Sequence, residues 1–303
     1  MSEPLPALNL IATPGQRRTT LEIAREIERR GFAGISVSSQ YSNMAQCLGL
    51  AFATEGIPFA TAIASIYAQT VDEFVNSAAY IHEVSDGRFQ FGIGVAHAPA
   101  YQRMGVIPGK PLADIRAFVA KFKSCEGVGM LPPIVLAALR KRMVALAGEI
   151  ADGVVFANAS LSHIGDSLRT LPAEKRNDAG FFIANRIRTC ICDNEAEAKA
   201  VLRRTVTNYA LMPNYRNYWK EAGYVEEMTA IERAVGRRGA GGRDCAILAR
   251  SLDCRHRAVR TGGENSRGYR GVARRRHQNP GIGATLCRWE PENRAATSVR
   301  RVC

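Results

Sequence analysis

The chain has 303 residues, 46% hydrophobic and 23% charged. That is a globular composition, long enough for one large domain or two ordinary ones. No apolar run reaches the roughly 18–20 residues of a membrane span. The start, MSEPLPALNL, lacks the basic and long apolar segments of a secretory signal, so a cytoplasmic protein with no membrane partner is expected. The net charge of +13 points towards nucleic acid only until it is divided along the chain. Residues 236–303 hold 16 arginines, no lysine and five acidic residues, whereas the first 235 carry 25 basic and 23 acidic groups.

This split predicts a body, residues 1–235, and an Arg/Gly/Cys-rich tail, residues 236–303, that is disordered or frame-shifted. No recognisable reading helix accompanies the tail arginines, so they predict only salt-sensitive, non-specific attraction to phosphate and no specific nucleic-acid partner. The cysteines divide likewise. Cys47, Cys125, Cys190 and Cys192 lie in the body, and Cys245, Cys254, Cys287 and Cys303 in the tail. No pair has zinc-finger spacing, and no metal site is expected.

In chain order, the body repeats one pattern: a short apolar run rich in β-branched residues, then a helix of period near 3.6. The predicted strands are 8–13, 34–39, 59–66, 89–95, 134–139, 154–157 and 181–192. Helices are predicted over 19–30, 70–84, 112–123, 141–151 and 195–222, the last interrupted near Pro213. Thr19-x-x-Glu22 and Thr70-x-x-Glu73 read as capping boxes, and Gly31 as a left-handed stop. The runs are apolar on both faces, as buried parallel strands are. Seven successive βα units favour a closed (β/α)8 TIM barrel over an open sheet, with the eighth unit missing or replaced. Chemistry in such a barrel lies at the C-terminal strand ends.

Strand 89–95 follows Ser85-Asp86-Gly87-Arg88 and carries Gly92 and Gly94 on one face. Paired glycines there either admit a flat group against the main chain or reflect tight packing. No Gly-x-Gly-x-x-Gly fingerprint is present.

Four segments together resemble the bacterial luciferase-like monooxygenases, in particular the branch that uses the deazaflavin coenzyme F420. They are Gly31-Phe32, the Ala-Ile-Ala-Ser-Ile-Tyr run at 62–67, Ser-Asp-Gly-Arg-Phe-x-Phe-Gly-Ile-Gly at 85–94, and Leu-Ala-Gly-Glu-Ile-Ala-Asp-Gly-Val at 146–154. The resemblance spans residues 7–225. It implies a luciferase-like barrel with hydride transfer between F420, or alternatively flavin mononucleotide (FMN), and a small organic substrate. It implies a non-proline cis peptide at Ala62–Ile63 against the ring, with Thr13, Ser39, Ala62, Ile63, Ser65, Gly94, Val95, Ala96, Ala138 and Arg140 about the cofactor. Arg140 is equally readable as a solvated charge at a helix start. Family members often place an acidic residue and a histidine after strand two. Here Ser39 and Gln40 stand there, and neither titrates near neutrality. His97 and Tyr101 are the nearest candidates for proton handling, with His163 weaker. The family also implies a homodimer. The departures leave an inactive remnant as an alternative.

The eighth unit should follow Val225, but the chain turns to Gly-Arg-Arg-Gly-Ala-Gly-Gly-Arg. Seven strands alone leave two unpaired edges, so the barrel must close some other way or stay open. An Arg-, Gly- and Cys-rich, Lys-free composition is what GC-rich coding DNA gives in a shifted frame. Suitable codons read one base on yield a helix pattern and the strand-like Thr-Pro-Val-Leu-Val-Pro. The alternative is a genuine divergent basic tail.

Overall fold

The computed structural model describes residues 5–191, 194–238, 258–259 and 282–288. Its elements are β1 (Ala7–Leu10), α1 (Arg17–Arg29), β2 (Ile35–Val37), α2 (Asn43–Ala53), β3 (Phe59–Thr61), β4 (Ala64–Ser65), α3 (Val71–Val84), β5 (Phe89–Gly94), α4 (Ala98–Met104) and α5 (Pro111–Lys123). Then come β6 (Ile134–Ala137), α6 (Lys141–Ile150), β7 (Gly153–Ala157), α7 (Ile164–Leu168), α8 (Ala173–Asn177), β8 (Phe182–Ile187), β9 (Cys190–Ile191), α9 (Glu195–Ala210), α10 (Pro213–Glu221), α11 (Val225–Arg238), β10 (Ala258–Val259) and β11 (Ile282–Arg288).

The sheet runs β3-β2-β1-β11-β8-β7-β6-β5-β4, and a β3–β5 pairing turns it into a ring. All neighbours are parallel except β11, which lies antiparallel between β1 and β8. The barrel is therefore luciferase-like in its first seven units, and its eighth position is filled by a reversed strand from the tail. This backbone pairing covers the two edges that seven strands would expose. The frame-shift reading otherwise falls outside the described residues. So do Cys192, Cys245, Cys254 and Cys303.

Several helix ends depart from expectation for local reasons. Helix α1 starts two residues before Thr19, with Gln16 at its cap and no side-chain capping bond. Thr20 instead donates to the Gln16 carbonyl at 2.8 Å, so the box at Thr19 does not form. The hydroxyl half of the second box does form, the Glu73 amide donating to Thr70 Oγ1 at 3.2 Å. Gly31 ends α1 at φ +73°, a conformation glycine adopts without steric cost. Pro213 divides the long C-terminal stretch into α9 and α10, since proline has no amide to continue the ladder. Helix α2 was not expected. It buries Met44, Gln46, Cys47, Leu50 and Ala51 around much of its circumference, which blurs the apolar period.

Phe89 and Phe91 of β5 point outward onto the helices. Phe91 stacks on Phe122 at 5.2 Å, and Phe74 packs on both Phe91 and Phe118. By strand alternation Gln90, Gly92 and Gly94 face the barrel interior. That interior holds a small apolar cluster of Val135, Val155 and Ala184, with Ala7, Ile63, Ala137 and Phe182 against it. A polar layer lies beside this cluster. Asn9 of β1 is fully buried and donates to Ser38 Oγ at 3.0 Å, while Ser36 and Ser38 donate back to its carbonyl oxygen.

Two of the motifs that carried the resemblance prove to be framework. Asp86 and Gly87 form a turn with both residues at positive φ. Arg88 then donates to Ser85 O, Thr54 Oγ1, Ile57 O, Ala51 O and Thr54 O, and its guanidinium lies over Phe59. It thus ties the end of α2 to the start of β5. In Ala151-Asp152-Gly153, the Asp152 carboxylate accepts from the Ile134 amide at 2.8 Å. A Cβ on Gly153 would lie 2.7 Å from both Phe182 Cβ and Phe182 O. Both motifs sit at the N-terminal strand ends, the face of such barrels that serves stability.

Candidate active site

The C-terminal strand ends gather at one mouth, and its centre is the break between β3 and β4. Phe59 and Ala60 pair with Phe89 and Gln90, and Ala64 and Ser65 pair with Ile93 and Gly94. Four steps along the first strand thus match three along the second, which is a bulge. The Ala62–Ile63 bond inside it is cis, at the position the resemblance indicated. Polar groups hold the bulge from several sides. The Ala62 amide donates to Val37 O at 2.7 Å, and Asn43 at the start of α2 donates to Ile63 O at 3.1 Å. Arg186 reaches from β8 to donate to Ala62 O at 3.1 Å and to Ser38 Oγ at 2.6 Å.

The glycine pair serves this bulge. A Cβ on Gly92 would stand 1.8 Å from Thr61 O, and one on Gly94 would stand 3.0 Å from Ala137 Cβ and 3.5 Å from Ile63 Cδ1. Of the two readings of this pair, tight packing accounts for Gly92, while Gly94 lies between Ala137 and the Ile63 side chain at the edge of the bulge.

The other expected residues divide between the mouth and its rim. Ala62, Ser65 and Ala138 are buried, and Ile63, Val95 and Ala96 are half-buried about the bulge and the end of β5. Thr13 lies in the loop after β1, half-buried, and its carbonyl accepts from the Gln16 amide. Ser39 and Gln40 are exposed beyond β2. Arg140 caps α6 and pairs with Glu221 of α10 at 2.6 Å, which matches its solvated-charge reading and engages the guanidinium expected near a cofactor tail.

His97 stands half-buried at the cap of α4, its ring 5.7 Å from that of Tyr215. Burial lowers its pKa, so the imidazole is neutral at pH 7. Its side chain makes no hydrogen bond to a described residue. Tyr101 is less free. Its hydroxyl donates to Ala96 O at 2.6 Å, its ring meets Tyr67 edge-on, and burial followed by the Asp114 charge raises its pKa. His163 is buried against Tyr218, with Nδ1 3.3 Å from Asp166. Burial keeps it neutral too.

Sequence reasoning passed over Arg186, Arg188, Tyr209, Tyr215 and Asn43. Burial lowers the Arg186 pKa to about 10, which leaves it protonated at neutrality, and its Nε–H is buried without a partner. Arg188 donates to the Tyr209 hydroxyl at 2.6 Å and lies over that ring. Tyr215 packs on Tyr209 and Trp219, an aromatic wall whose Tyr215 and Trp219 are buried behind the mouth. The available signal was Asn185-Arg186 inside an otherwise apolar strand, as was Asn9 in β1. Among the described residues no group of three His, Cys, Asp or Glu side chains is placed to hold a metal ion. None of their helices is long and apolar enough to cross a membrane.

Seven parallel strands closed by one reversed strand, with a bulged third strand and its polar groups gathered at the C-terminal mouth, define an α/β barrel. The luciferase-like monooxygenase profile matches residues 7–127 and 120–243. The chain belongs to that family of oxidoreductases. A 5,10-methylenetetrahydromethanopterin reductase of Methanolobus tindarius is 28% identical over 160 residues, 45% of this chain. The match spans 49%, about half, of that relative. The coenzyme F420-dependent tetrahydromethanopterin reductase of Methanopyrus kandleri superposes with a TM-score of 0.65 at 17% identity, covering 83% of this chain and 84% of that one. The oxygenating constituent of 3,6-diketocamphane monooxygenase from Pseudomonas putida, in complex with FMN, gives 0.51 at 15% identity, covering 82% and 84%. These two structures bear on the fold alone.

Proposed function

We propose that the chain is an oxidoreductase that transfers a hydride between coenzyme F420 and a small organic substrate, with FMN as the alternative cofactor. The observation that carries this reading is His97, a neutral, half-buried imidazole at the mouth, unbonded to any described residue and beside an aromatic wall. The residues about the bulge suit a flat ring: Ala62, Ala96 and Ala138 are small, and Ser65 offers a hydroxyl. Ile63, Gly94 and Val95 complete that lining, with Thr13 and Ser39 at the rim. Arg140 would have to leave Glu221 to meet a cofactor phosphate.

The bound cofactor supplies the carbon that gives or takes the hydride. The protein's part is orientation, exclusion of water and movement of one proton. A ring nitrogen of neutral His97 takes the proton of an alcohol being oxidised, and in the reverse direction the imidazolium returns that proton to the oxygen of the carbonyl being reduced. Tyr101, already bonded to Ala96 O, positions the loop that carries His97. The relatives named above act on reduced pterins and ketones by their names, which supports a carbonyl- or imine-level substrate.

Absorbance titration of the full chain with F420 and with FMN tests the reading. Saturable spectral change with F420, weaker with FMN, is expected; no change with either refutes it. In F420 reduction by a panel of small alcohols, His97→Gln should keep cofactor binding and lose at least tenfold in rate, within the range of general acid–base catalysis. With a depressed pKa, the imidazole protonates only below pH 6.5. The parent's rate should therefore fall as pH falls through that region, and the variant should lose this limb.

A further inference from the structure

We propose that the mouth recognises an anionic organic substrate, a carboxylate or phosphate ester, through Arg186 and Arg188. The proposal deepens the redox reading, because the anionic group is assigned to the substrate of that same site. Two residues apart along β8 and its end, the two side chains project to the same side. Arg186 spends Nη1 and Nη2 on uncharged acceptors, Ala62 O and Ser38 Oγ, and keeps a buried, unpartnered Nε–H. Among the described residues, the Arg188 guanidinium meets the Tyr209 hydroxyl and ring.

No carboxylate among the described residues pairs with either group. Elsewhere the fold readily supplies one: Arg140 has Glu221, Arg116 has Glu149, and Arg216 and Lys220 share Glu232. Positive charge withdrawn from water without a counter-charge is unfavourable. An oxyanion relieves that, and the guanidinium fork suits its geometry. Half-buried Tyr209, backed by the buried Tyr215 and Trp219, offers the organic part an apolar surface beside the charges. His97 stacks near Tyr215, which sets the reacting carbon of such a substrate within the same enclosure.

Thermal melts of the full chain, without cofactor and at constant ionic strength, test this with inorganic phosphate and with succinate against chloride. A saturable rise in Tm is expected with at least one of the two. Arg186→Gln and Arg188→Gln should each raise the half-saturating concentration at least tenfold, and the surface change Arg17→Gln should not. If Arg186→Gln fails to fold, Arg188→Gln carries the comparison. No saturable rise in the parent, or an unchanged midpoint in Arg188→Gln, overturns the proposal. Repeating the titration with saturating F420 or FMN separates the two sources of an anionic group. Persistence supports a substrate site, and competition overturns it in favour of the cofactor's own charge. Because the first titration needs no cofactor, it fails or succeeds independently of the cofactor-binding experiment.

Discussion

Replacing Gly92 with alanine tests how the mouth is built. The added Cβ would stand 1.8 Å from Thr61 O, where ordinary contact begins near 3.4 Å, so one atom must move by about 1.5 Å. The Thr61 carbonyl is poorly placed to yield. Its own hydroxyl donates to Gly92 O at 2.7 Å, its strand pairs with Val37, and the next amide donates to Val37 O. Forced overpacking costs about 1–3 kcal/mol, and each of one or two broken hydrogen bonds adds about 1 kcal/mol. A total near 3 kcal/mol corresponds to a fall in Tm of roughly 6–12 °C for a domain of this size. Circular dichroism melts of the parent and of Gly92→Ala measure it. Gly94→Ala is the control, because its Cβ would meet Ala137 Cβ at 3.0 Å and the movable Ile63 side chain at 3.5 Å, and it should cost clearly less. A Gly92→Ala melt within 2 °C of the parent would refute the close approach of Thr61 to β5.

Arg88→Met removes five donated bonds between α2, its following loop and β5. It should lower the urea midpoint by the equivalent of about 2–4 kcal/mol, given the unsatisfied carbonyls it leaves, while the fraction that remains folded binds cofactor as the parent does. Glu26 is held at a pKa of about 2 by hydrogen bonds from Arg29 and Arg30. Its contribution is fully present above the ordinary carboxylate range and is lost as pH falls from about 4.5 towards 2. The difference in urea midpoint between parent and Glu26→Gln should therefore shrink across that window, and a constant difference would contradict the assignment. For the tail, mass spectrometry of a digest decides between the two readings. The shifted-frame reading expects the natural protein to lack peptides from residues 236–303 as written, and their detection would end it.

The sequence made the barrel legible because buried parallel strands and their helices repeat with strong periods. It made the family legible through residues that turn out to be structural. Arg88, Asp152 and Gly153 each answer a local geometric demand: carbonyls at a helix end, an unpaired strand amide, and a close approach to Phe182. Such demands are met by few residue types at fixed spacing, so they read clearly. The mouth reads poorly for the opposite reason. Arg186 reaches Ala62 and Ser38, 124 and 148 positions away, and nothing local to β8 announces those partners. Asn43 likewise meets Ile63 from a helix whose periodicity is blurred by burial. The glycine pair stayed open between a bed for a ring and tight packing because spacing shows which face a residue occupies and not what already fills it.

The same asymmetry bears on the eighth strand. In a barrel of parallel units each strand arrives with a helix that returns the chain to the bottom, so that the next loop reaches the mouth. β11 runs antiparallel between β1 and β8, so it satisfies backbone pairing without delivering a loop to the mouth at its C-terminal end. Closure of the ring and completion of the site are thus separable here. The hydrogen-bonding requirement is met by any strand of sufficient length. The chemical requirement falls instead on residues of the first seven units. His97, Arg186 and Arg188 all lie before residue 190, and their side chains meet no described residue of the tail. Among the described residues, the groups proposed to act on the substrate therefore all belong to the first seven units, whichever strand closes the ring.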